Sequence, residues 1–337
     1  MDAQTPHPFS KFVAILGRGK TKQRHLTQEE SHEAMGMLLR GEALPEQIGA
    51  FLMLLRLKEE APEEIAGFTQ ATRDLLDRPD DFPAVDLDWS SYAGKRIQLP
   101  WFVLSVMVLV GAGQKVLMHG TEGHTPGRVY TRAVLEDLGF TAASSLHQAA
   151  DQIRADGFAY VPLEVLSEPL RHMIDLRPVF GLRSPVHSFS RMINPFDAPA
   201  MMMGIFHRGF MDIHAGAAQL MGQPSMAVFR GEGGEIERRP NKPTQVWLTH
   251  GAAEPEVESW PALLDNAHQP ADEEMDTGDL IRLWTGESTD PYATAAVTGT
   301  LAIALRTMGK AGSVEEAEAM ANDMWAARDK GFLPRTP

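Results

Sequence analysis

The chain has 337 residues, 43% of them apolar, and no cysteine. This composition predicts a soluble globular protein with a well-buried core, and it excludes disulfides, thiolate nucleophiles and cysteine-ligated zinc. The net charge of -14, taken over the whole chain, argues against a nucleic-acid binder. The N-terminus has no signal-peptide pattern and no apolar run approaches a membrane span, so we expect a cytoplasmic protein without membrane contact.

Charge is unevenly distributed along the chain. Residues 89–250 contain 15 Lys and Arg against 13 Asp and Glu, whereas residues 1–88 contain 10 against 16 and residues 251–337 contain 6 against 16. The slightly basic middle could form a cationic face. A solvated mixture of both charges would give the same counts.

Three short amphipathic helices are predicted near the N-terminus. Thr27 and Glu30 form a capping box at the start of the first, and Gly41 ends it. Pro45 and Pro62 lie near the starts of the second and third. Because the connections are short, we expect the helices to pack as a small bundle.

Beyond about residue 85, apolar runs alternate with helical stretches, which predicts an α/β domain with a mostly parallel central sheet. The apolar runs are residues 101–110, 227–229 and 246–248, and the helical stretches are 130–138, 145–155, 198–220 and 293–308. The run Met201 to Met203 is interpreted as helix core, with His207 and His214 near one face of the same helix and no third metal ligand. Residues 251–279 read as an irregular surface connection.

Three stretches carry a family resemblance: residues 26–73, residues 181–184 (GLRS) with Asn194-Pro195, and residues 300–329. In that order they are similar to the helical domain, the LGxRT and NP motifs, and the last helices of the anthranilate phosphoribosyltransferase and pyrimidine nucleoside phosphorylase family, glycosyltransferase family 3. The resemblance implies a helical domain at residues 1–80 and an α/β domain at 85–337, with residues 165–195 packing back on the helices. It also implies a homodimer formed through the N-terminal helices.

The segment at residues 90–120 departs from the family where phosphate would bind. The family surrounds phosphoribosyl diphosphate (PRPP) with GTGGDG, N-[IL]-S-T and KHGN segments. Here SSYAGK at 90–95 takes the place of the glycines, PWFV at 100–103 replaces the Asn and hydroxyls, and Met118 replaces the lysine. Only His119 and Gly120 are kept.

The family's magnesium motif, HGxGxDE, is also altered, and corresponds to RGEGGEIE at residues 230–237. Glu235 keeps one acidic position and Ile236 replaces the other. Glu232 or Glu237 could substitute, since a hard cation needs only oxygen ligands within reach. A Gly-rich turn with solvated acids explains the same residues equally well.

Two further features bear on the ligand. Arg183 matches the arginine that contacts the aromatic acid acceptor in the family, but a guanidinium binds carboxylate or phosphate alike. The stretch Gly17-Arg18-Gly19-Lys20 ahead of Arg24 resembles the YbiB-like branch. That branch keeps the fold and dimer, has an altered PRPP site and is associated with sequence-tolerant nucleic-acid binding.

Two hypotheses follow, and neither assigns a catalytic residue. In the first, the protein has lost anthranilate chemistry and binds single-stranded DNA, RNA or another polyanion through basic residues: Arg18, Lys20, Lys22 and Arg24 of the N-terminal stretch, with Lys95, Arg96, His119, Gly120, Thr125, Arg128, Arg183, Arg191 and Arg230. In the second, it is a transferase on anthranilate or another acceptor, in which Lys95, Arg96, His119, Thr125 and Arg128 bind PRPP. Mg²⁺ would then be its cofactor, held by Glu235 with Glu232 or Glu237.

Overall fold

The N-terminal part of the chain is a helical bundle. The computed structural model describes residues 5–19, 21–266, 270–272 and 274–333, so Lys20 lies outside the described residues. The helices are α1 (Ser10–Gly17), α2 (Gln28–Leu39), α3 (Pro45–Lys58) and α4 (Pro62–Asp74). Glu30 N–H donates to the Thr27 hydroxyl at 3.2 Å and Thr27 N–H donates to the Glu30 carboxylate at 2.9 Å, which completes the capping box at α2.

The first helix, α1, is not among the helices predicted from the sequence. Phe9, just before it, contacts both Phe12 of α1 and Phe51 of α3, with ring centroids 5.4 Å and 5.2 Å away. All three rings are fully buried. The added helix therefore joins the core of the bundle.

A seven-stranded sheet forms the centre of the rest of the chain. Its strands are β1 (Leu87–Ser91), β2 (Val116–Gly120), β3 (Phe158–Pro162), β4 (Ala200–Ile205), β5 (Ser225–Arg230), β6 (Thr244–Thr249) and β7 (Glu256–Trp260). The order is β3-β2-β1-β4-β5-β6-β7, with β6 antiparallel to both of its neighbours and the other pairs parallel. Strand β1 has β2 on one side and β4 on the other, so the order in which strands are added reverses direction at β1. Such a reversal opens a crevice at the carboxyl ends of the strands, where ligands bind in open α/β sheets.

Helices cover both faces of the sheet. They are α5 (Phe102–Gly111), α6 (Thr131–Asp137), α7 (Leu146–Asp156), α8 (Leu163–Leu166), α9 (Glu168–Asp175), α10 (Arg177–Phe180), α11 (Val186–Phe189), α12 (Gly209–Leu220), α13 (Gly278–Thr285), α14 (Pro291–Thr307) and α15 (Val314–Ala327). One core joins the helical bundle to a sheet face that includes Met201 and Met203, and a second core joins α5, α14 and α15 to the face that includes Met202. Successive methionines therefore point to opposite faces, as strand geometry requires.

Three local predictions were wrong. The apolar run at 101–110 is the helix α5; it is buried on nearly every side, so its composition lacks the polar face that marks a surface helix. The predicted helix at 198–220 divides into β4 and α12, which leaves Met201 to Met203 in a strand and His207 before the helix begins. The connection at 251–279 contains β7.

The predicted fold class is confirmed: a helical domain stands beside a larger α/β domain with a mostly parallel sheet. Phe68 of α4 contacts Phe189 of α11, with ring centroids 5.4 Å apart, so the segment that includes α11 touches the helical bundle. Within the described ranges, no helix is both long and apolar enough to span a membrane.

Candidate functional site

The loop after β1 surrounds a carboxylate that the chain itself supplies. Glu235 accepts hydrogen bonds from the backbone N–H groups of Ala93 at 2.6 Å and Gly94 at 2.5 Å, and from the Ser91 hydroxyl at 3.1 Å. The Glu235 side chain is buried, at 1% exposure. Converging backbone N–H groups of this kind form an anion-binding concavity. Here the anion is the Glu235 side chain.

Close backbone packing holds Glu235 in this position. A Cβ atom at Gly231 would lie 1.6 Å from the Glu235 carbonyl oxygen, and one at Gly204, at the end of β4, would lie 2.2 Å from it. Any other residue at either position would push the turn away. Gly231, which belongs to the predicted magnesium motif, and Gly204 therefore allow a turn to pack against the sheet.

Lys95 is a buried member of an ion-pair cluster. Its ammonium group lies 2.6 Å from the Glu232 carboxylate and also contacts Glu237, whose second oxygen accepts the Phe102 N–H at 2.9 Å. Burial raises the pKa of Glu237 to about 7. Burial alone would lower the pKa of Lys95, but the two carboxylates outweigh it and raise that pKa. The prediction that Lys95 contacts phosphate is wrong, because the side chain is fully buried and its charge is paired.

The three glutamates proposed to hold Mg²⁺ do not form a metal site. Glu235 binds backbone N–H groups, whereas Glu232 and Glu237 bind Lys95. Within the part of the chain that the structure describes, no group of three or more His, Asp or Glu side chains is arranged to hold a metal ion. The residues present do not fit the magnesium ion that the resemblance implies.

His119 and Gly120, the two positions kept from the family's phosphate segment, have interior roles. The His119 ring is fully buried, with Nδ1 2.8 Å from the Tyr92 hydroxyl and Nε2 3.3 Å from Asp88. A Cβ atom at Gly120 would lie 2.0 Å from the Ser91 carbonyl oxygen on β1. Both residues pack β2 against β1, so the prediction that they contact a polyanion is wrong.

Four arginines gather in front of this loop, and we call them the arginine cluster: Arg128, Arg177, Arg183 and Arg191. They are held by uncharged oxygens. Arg128 donates to the carbonyls of Ala93, Gly94 and Gly233, Arg177 to the His124 carbonyl and the Thr125 hydroxyl, Arg183 to the same hydroxyl, and Arg191 to the carbonyls of His187, Gly204 and Gly234.

The arginine cluster keeps its positive charge uncompensated by direct pairing. None of the four guanidinium groups forms an ion pair with a described carboxylate. Partial burial, followed by repulsion from Arg177, Arg128 and Arg191, lowers the pKa of Arg183. The four positive charges are therefore close enough to repel one another. A bound anion would reduce that repulsion.

Beside the arginine cluster, a cavity of about 130 Å³ lies between the helical bundle and the α/β domain. Arg56 and Glu60 line it from the bundle, and Arg183, His187 and His214 line it from the other side. Glu60 Oε2 and the Nε2 atoms of both histidines are buried without a hydrogen-bond partner among the described residues. Burial raises the pKa of Glu60 to about 7, lowers that of His214 to about 4, and lowers that of His187 well below its usual range.

The remaining predicted basic residues are dispersed. Arg96, Arg18 and Lys22 are exposed, Arg24 forms a bidentate pair with Glu30, and Arg230 lies over the Phe206 ring at 5.6 Å. The structure thus brings Thr125, Arg128, Arg183 and Arg191 together. Sequence reasoning missed the cavity between Glu60 and His214, because nothing in a sequence joins residues so far apart.

A helical bundle joined to an α/β sheet is the domain arrangement of the glycosyl transferase family, and the chain belongs to that family. The "Glycosyl transferase family, helical bundle domain" matches residues 14–75, and the "Glycosyl transferase family, a/b domain" matches residues 103–326.

The relatives that it matches include anthranilate phosphoribosyltransferases. The Thermus thermophilus enzyme is 26% identical over 91% of this chain and 93% of its own length, and that of Desulfitobacterium hafniense is 29% identical over 69% of each. A crystal structure of the Thermus thermophilus enzyme superposes with a TM-score of 0.77 at 23% identity, covering 96% of this chain and 95% of the other. The Saccharomyces cerevisiae enzyme in complex with PRPP and Mg gives 0.76 at 15% identity, covering 96% and 94%.

Proposed function

We propose that this glycosyl transferase family member does not carry out magnesium-dependent phosphoribosyl transfer, and that it binds single-stranded nucleic acid or another polyanion at the arginine cluster. The observation that carries the proposal is the hydrogen-bonding of the Glu235 carboxylate by Ala93 and Gly94. We further propose a homodimer formed through the N-terminal helices, a YbiB-like branch and a cytoplasmic location.

Transfer from PRPP would require the β1 loop to accept a diphosphate. The donors of that loop are occupied by a buried carboxylate, so a diphosphate would have to displace it and would meet its negative charge at close range. A divalent cation could offset the charge, but Glu232 and Glu237 are already paired with Lys95. The relative from yeast is described in complex with PRPP and Mg. The residues of this chain do not favour the same ligands.

Polyanion binding suits the surface that remains. Arg183 is exposed, and Arg128, Arg177 and Arg191 are half-buried with donors turned toward carbonyl and hydroxyl oxygens. Guanidinium groups bind phosphate oxygens bidentately and more strongly than they bind carbonyls, since the acceptor is charged. Exposed Arg18 and Lys22, which follow α1, would add charge at the helical side.

The test is a salt titration with a fluorescently labelled single-stranded oligonucleotide, read by anisotropy. We expect binding at low salt, with log K falling linearly against log salt because counterions are released from the phosphates. A parallel thermal melt with millimolar PRPP should give the same melting temperature with and without Mg²⁺. No binding at low salt would refute the polyanion proposal, and a rise in melting temperature with PRPP that requires Mg²⁺ would favour the alternative, a magnesium-dependent transferase on anthranilate or another acceptor.

A further inference from the structure

A second arginine-lined cavity, of about 390 Å³, lies at the end of the sheet at which β5 ends and β6 begins. Arg208, Arg230 and Arg239 line it together with Gln245, Trp247 and Trp260. Gln245 is paired with Ser259 across β6 and β7, and Thr244 with Trp260, so regular strands hold this side of the cavity. No residue of the arginine cluster lines it.

The three arginines of this second cavity have no carboxylate ion pair within the described ranges. Arg208 donates to the amide oxygen of Gln245 at 2.7 Å, and Arg230 lies over the Phe206 ring. The Nε–H of Arg239 is buried and has no acceptor among the described residues. Three guanidinium groups around one space, one of them with an unmet donor, form a site that an anion would complete.

The walls of the cavity add an independent observation. Trp260 is 1% exposed and is paired with Thr244, so its ring packs in the core on the sheet face opposite Trp247. Trp247 and Met211 give the cavity apolar surface, and the nearby carboxylate of Asp212 accepts the Trp247 indole N–H at 2.7 Å. The unmet Nε–H donor of Arg239 and the apolar surface of Trp247 suit a ligand with an anionic end and a flat ring.

We propose that this second cavity binds a phosphate group attached to a planar ring, as in a nucleotide. The guanidinium groups of Arg208, Arg230 and Arg239 would hold the phosphate oxygens, and the ring would lie against Trp247. A volume of about 390 Å³ falls within the range of small-molecule sites. The phosphate can belong to a free nucleotide or to a nucleic-acid chain, since both present the same chemistry. The site does not depend on polyanion binding at the arginine cluster.

The tryptophans in the wall make the test direct, because a bound ring should change their fluorescence. Adenosine 5′-monophosphate, inorganic phosphate and a short single-stranded oligonucleotide would each be titrated into the full chain. Arg230→Gln, at an exposed position, and Arg239→Gln should each weaken binding about tenfold, the loss expected for one charge-assisted hydrogen bond. Arg282→Gln is the matched control and should leave mononucleotide affinity unchanged, because Arg282 lies on the surface and is already paired with Asp276 and Asp279.

Each outcome has a defined meaning. Mononucleotide binding that Arg230→Gln weakens identifies a free nucleotide as the phosphate source, and oligonucleotide binding alone that it weakens identifies a nucleic-acid chain. If none of the three probes binds with an affinity that depends on Arg230 or Arg239, the proposal is overturned. Oligonucleotide binding that Arg183→Gln removes and Arg230→Gln leaves unchanged, together with no mononucleotide binding, would support the arginine cluster and refute the second cavity.

Discussion

The carboxylate of Glu235 accepts a hydrogen bond of 2.6 Å from the backbone N–H of Ala93, across a separation of 142 residues. This contact closes the loop after β1 with a charge from the turn after β5. The backbone N–H groups of this loop are therefore occupied by a side chain of the protein itself. Its removal gives the first prediction.

Glu235→Ala should lower the free energy of unfolding by about 3 kcal/mol, because two backbone N–H groups and the Ser91 hydroxyl lose a charged acceptor. Inorganic phosphate should then raise the melting temperature of the variant more than that of the wild type, since the emptied donors accept an anion. Glu254→Ala, at an exposed position, is the control. Equal responses to phosphate in both proteins would contradict this account.

Lys95→Met should destabilise the protein by about 3–5 kcal/mol in urea denaturation, because it leaves Glu232 and Glu237 buried without their cation. Lys95→Met combined with Glu237→Gln should recover part of that loss. The matched control is Lys22→Met, on the exposed N-terminal stretch, which should change stability by less than about 0.5 kcal/mol. A cost for Lys95→Met below about 1 kcal/mol, the size expected of an exposed pair, would show that the buried pair is not formed.

Glu60→Gln should make the protein less sensitive to rising pH. Burial raises the pKa of Glu60 from 4.5 to about 7, so the folded state binds this proton more tightly than the unfolded state. The resulting stability is present below pH 4.5 and is lost as pH rises through 7. Between pH 4.5 and 7, the free energy of unfolding of Glu60→Gln should rise relative to that of the wild type by roughly 1–3 kcal/mol.

The stability contributed by His214 has the opposite pH dependence, so the comparison of Glu60→Gln with the wild type has to allow for it. Its pKa is lowered to about 4 by burial, so its contribution is present above pH 6.5 and is lost as pH falls toward 4. The difference between Glu60→Gln and wild type at each pH cancels this contribution. A difference that stays constant from about pH 5 to 8 would show that Glu60 titrates normally.

Arg183→Gln should weaken oligonucleotide binding several-fold at every sequence tested and reduce the slope of log K against log salt by about 1, as removal of one phosphate contact does. Arg282→Gln serves as the control here too, because its ion pairs with Asp276 and Asp279 leave it no free charge to offer. An unchanged salt slope in Arg183→Gln would place the contact elsewhere.

Gly231→Ala should prevent stable folding or cost more than about 3 kcal/mol, because the new methyl group would lie 1.6 Å from the Glu235 carbonyl oxygen. At Gly111, the last residue of α5, a Cβ atom meets nothing within 4 Å. Gly111→Ala should therefore be neutral or stabilising by up to about 1 kcal/mol. Thermal melts of the two variants side by side would separate a packing requirement from general sensitivity to glycine loss.

Much of the fold could be predicted from the sequence, because its signals are local. The capping box at Thr27 and the prolines at 45 and 62 identify three helices, and the alternation beyond residue 85 identifies the α/β class. Helix α5 and strand β4 were assigned wrongly because both are buried on all sides. Neither has the alternation of apolar and polar residues that separates a helix from a strand.

The residues of the candidate site were harder to predict, because the sequence does not show which carboxylate, if any, pairs with a given Lys or Arg. Lys95 and Arg183 both read as free cations, yet Lys95 is neutralised by two buried glutamates and Arg183 contacts only a hydroxyl among its side-chain hydrogen bonds. The separation between Lys95 and Glu237 is 142 residues. Only the fold brings them together, so sequence could list candidate cations but not say which remain available.

The anchoring of Arg128 and Arg191 by carbonyl oxygens has a consequence for kinetics. On the proposed polyanion binding, a chain of net charge -14 would repel nucleic acid at long range, while guanidinium groups fixed by neutral oxygens would attract it at contact. Added salt would screen the distant repulsion, over about 10 Å at roughly 0.1 M, and its cations would also compete with the guanidinium groups for phosphate. Association should therefore speed up, and dissociation also, as salt is first added. Differences in affinity between ligands would then come mainly from their dissociation rates.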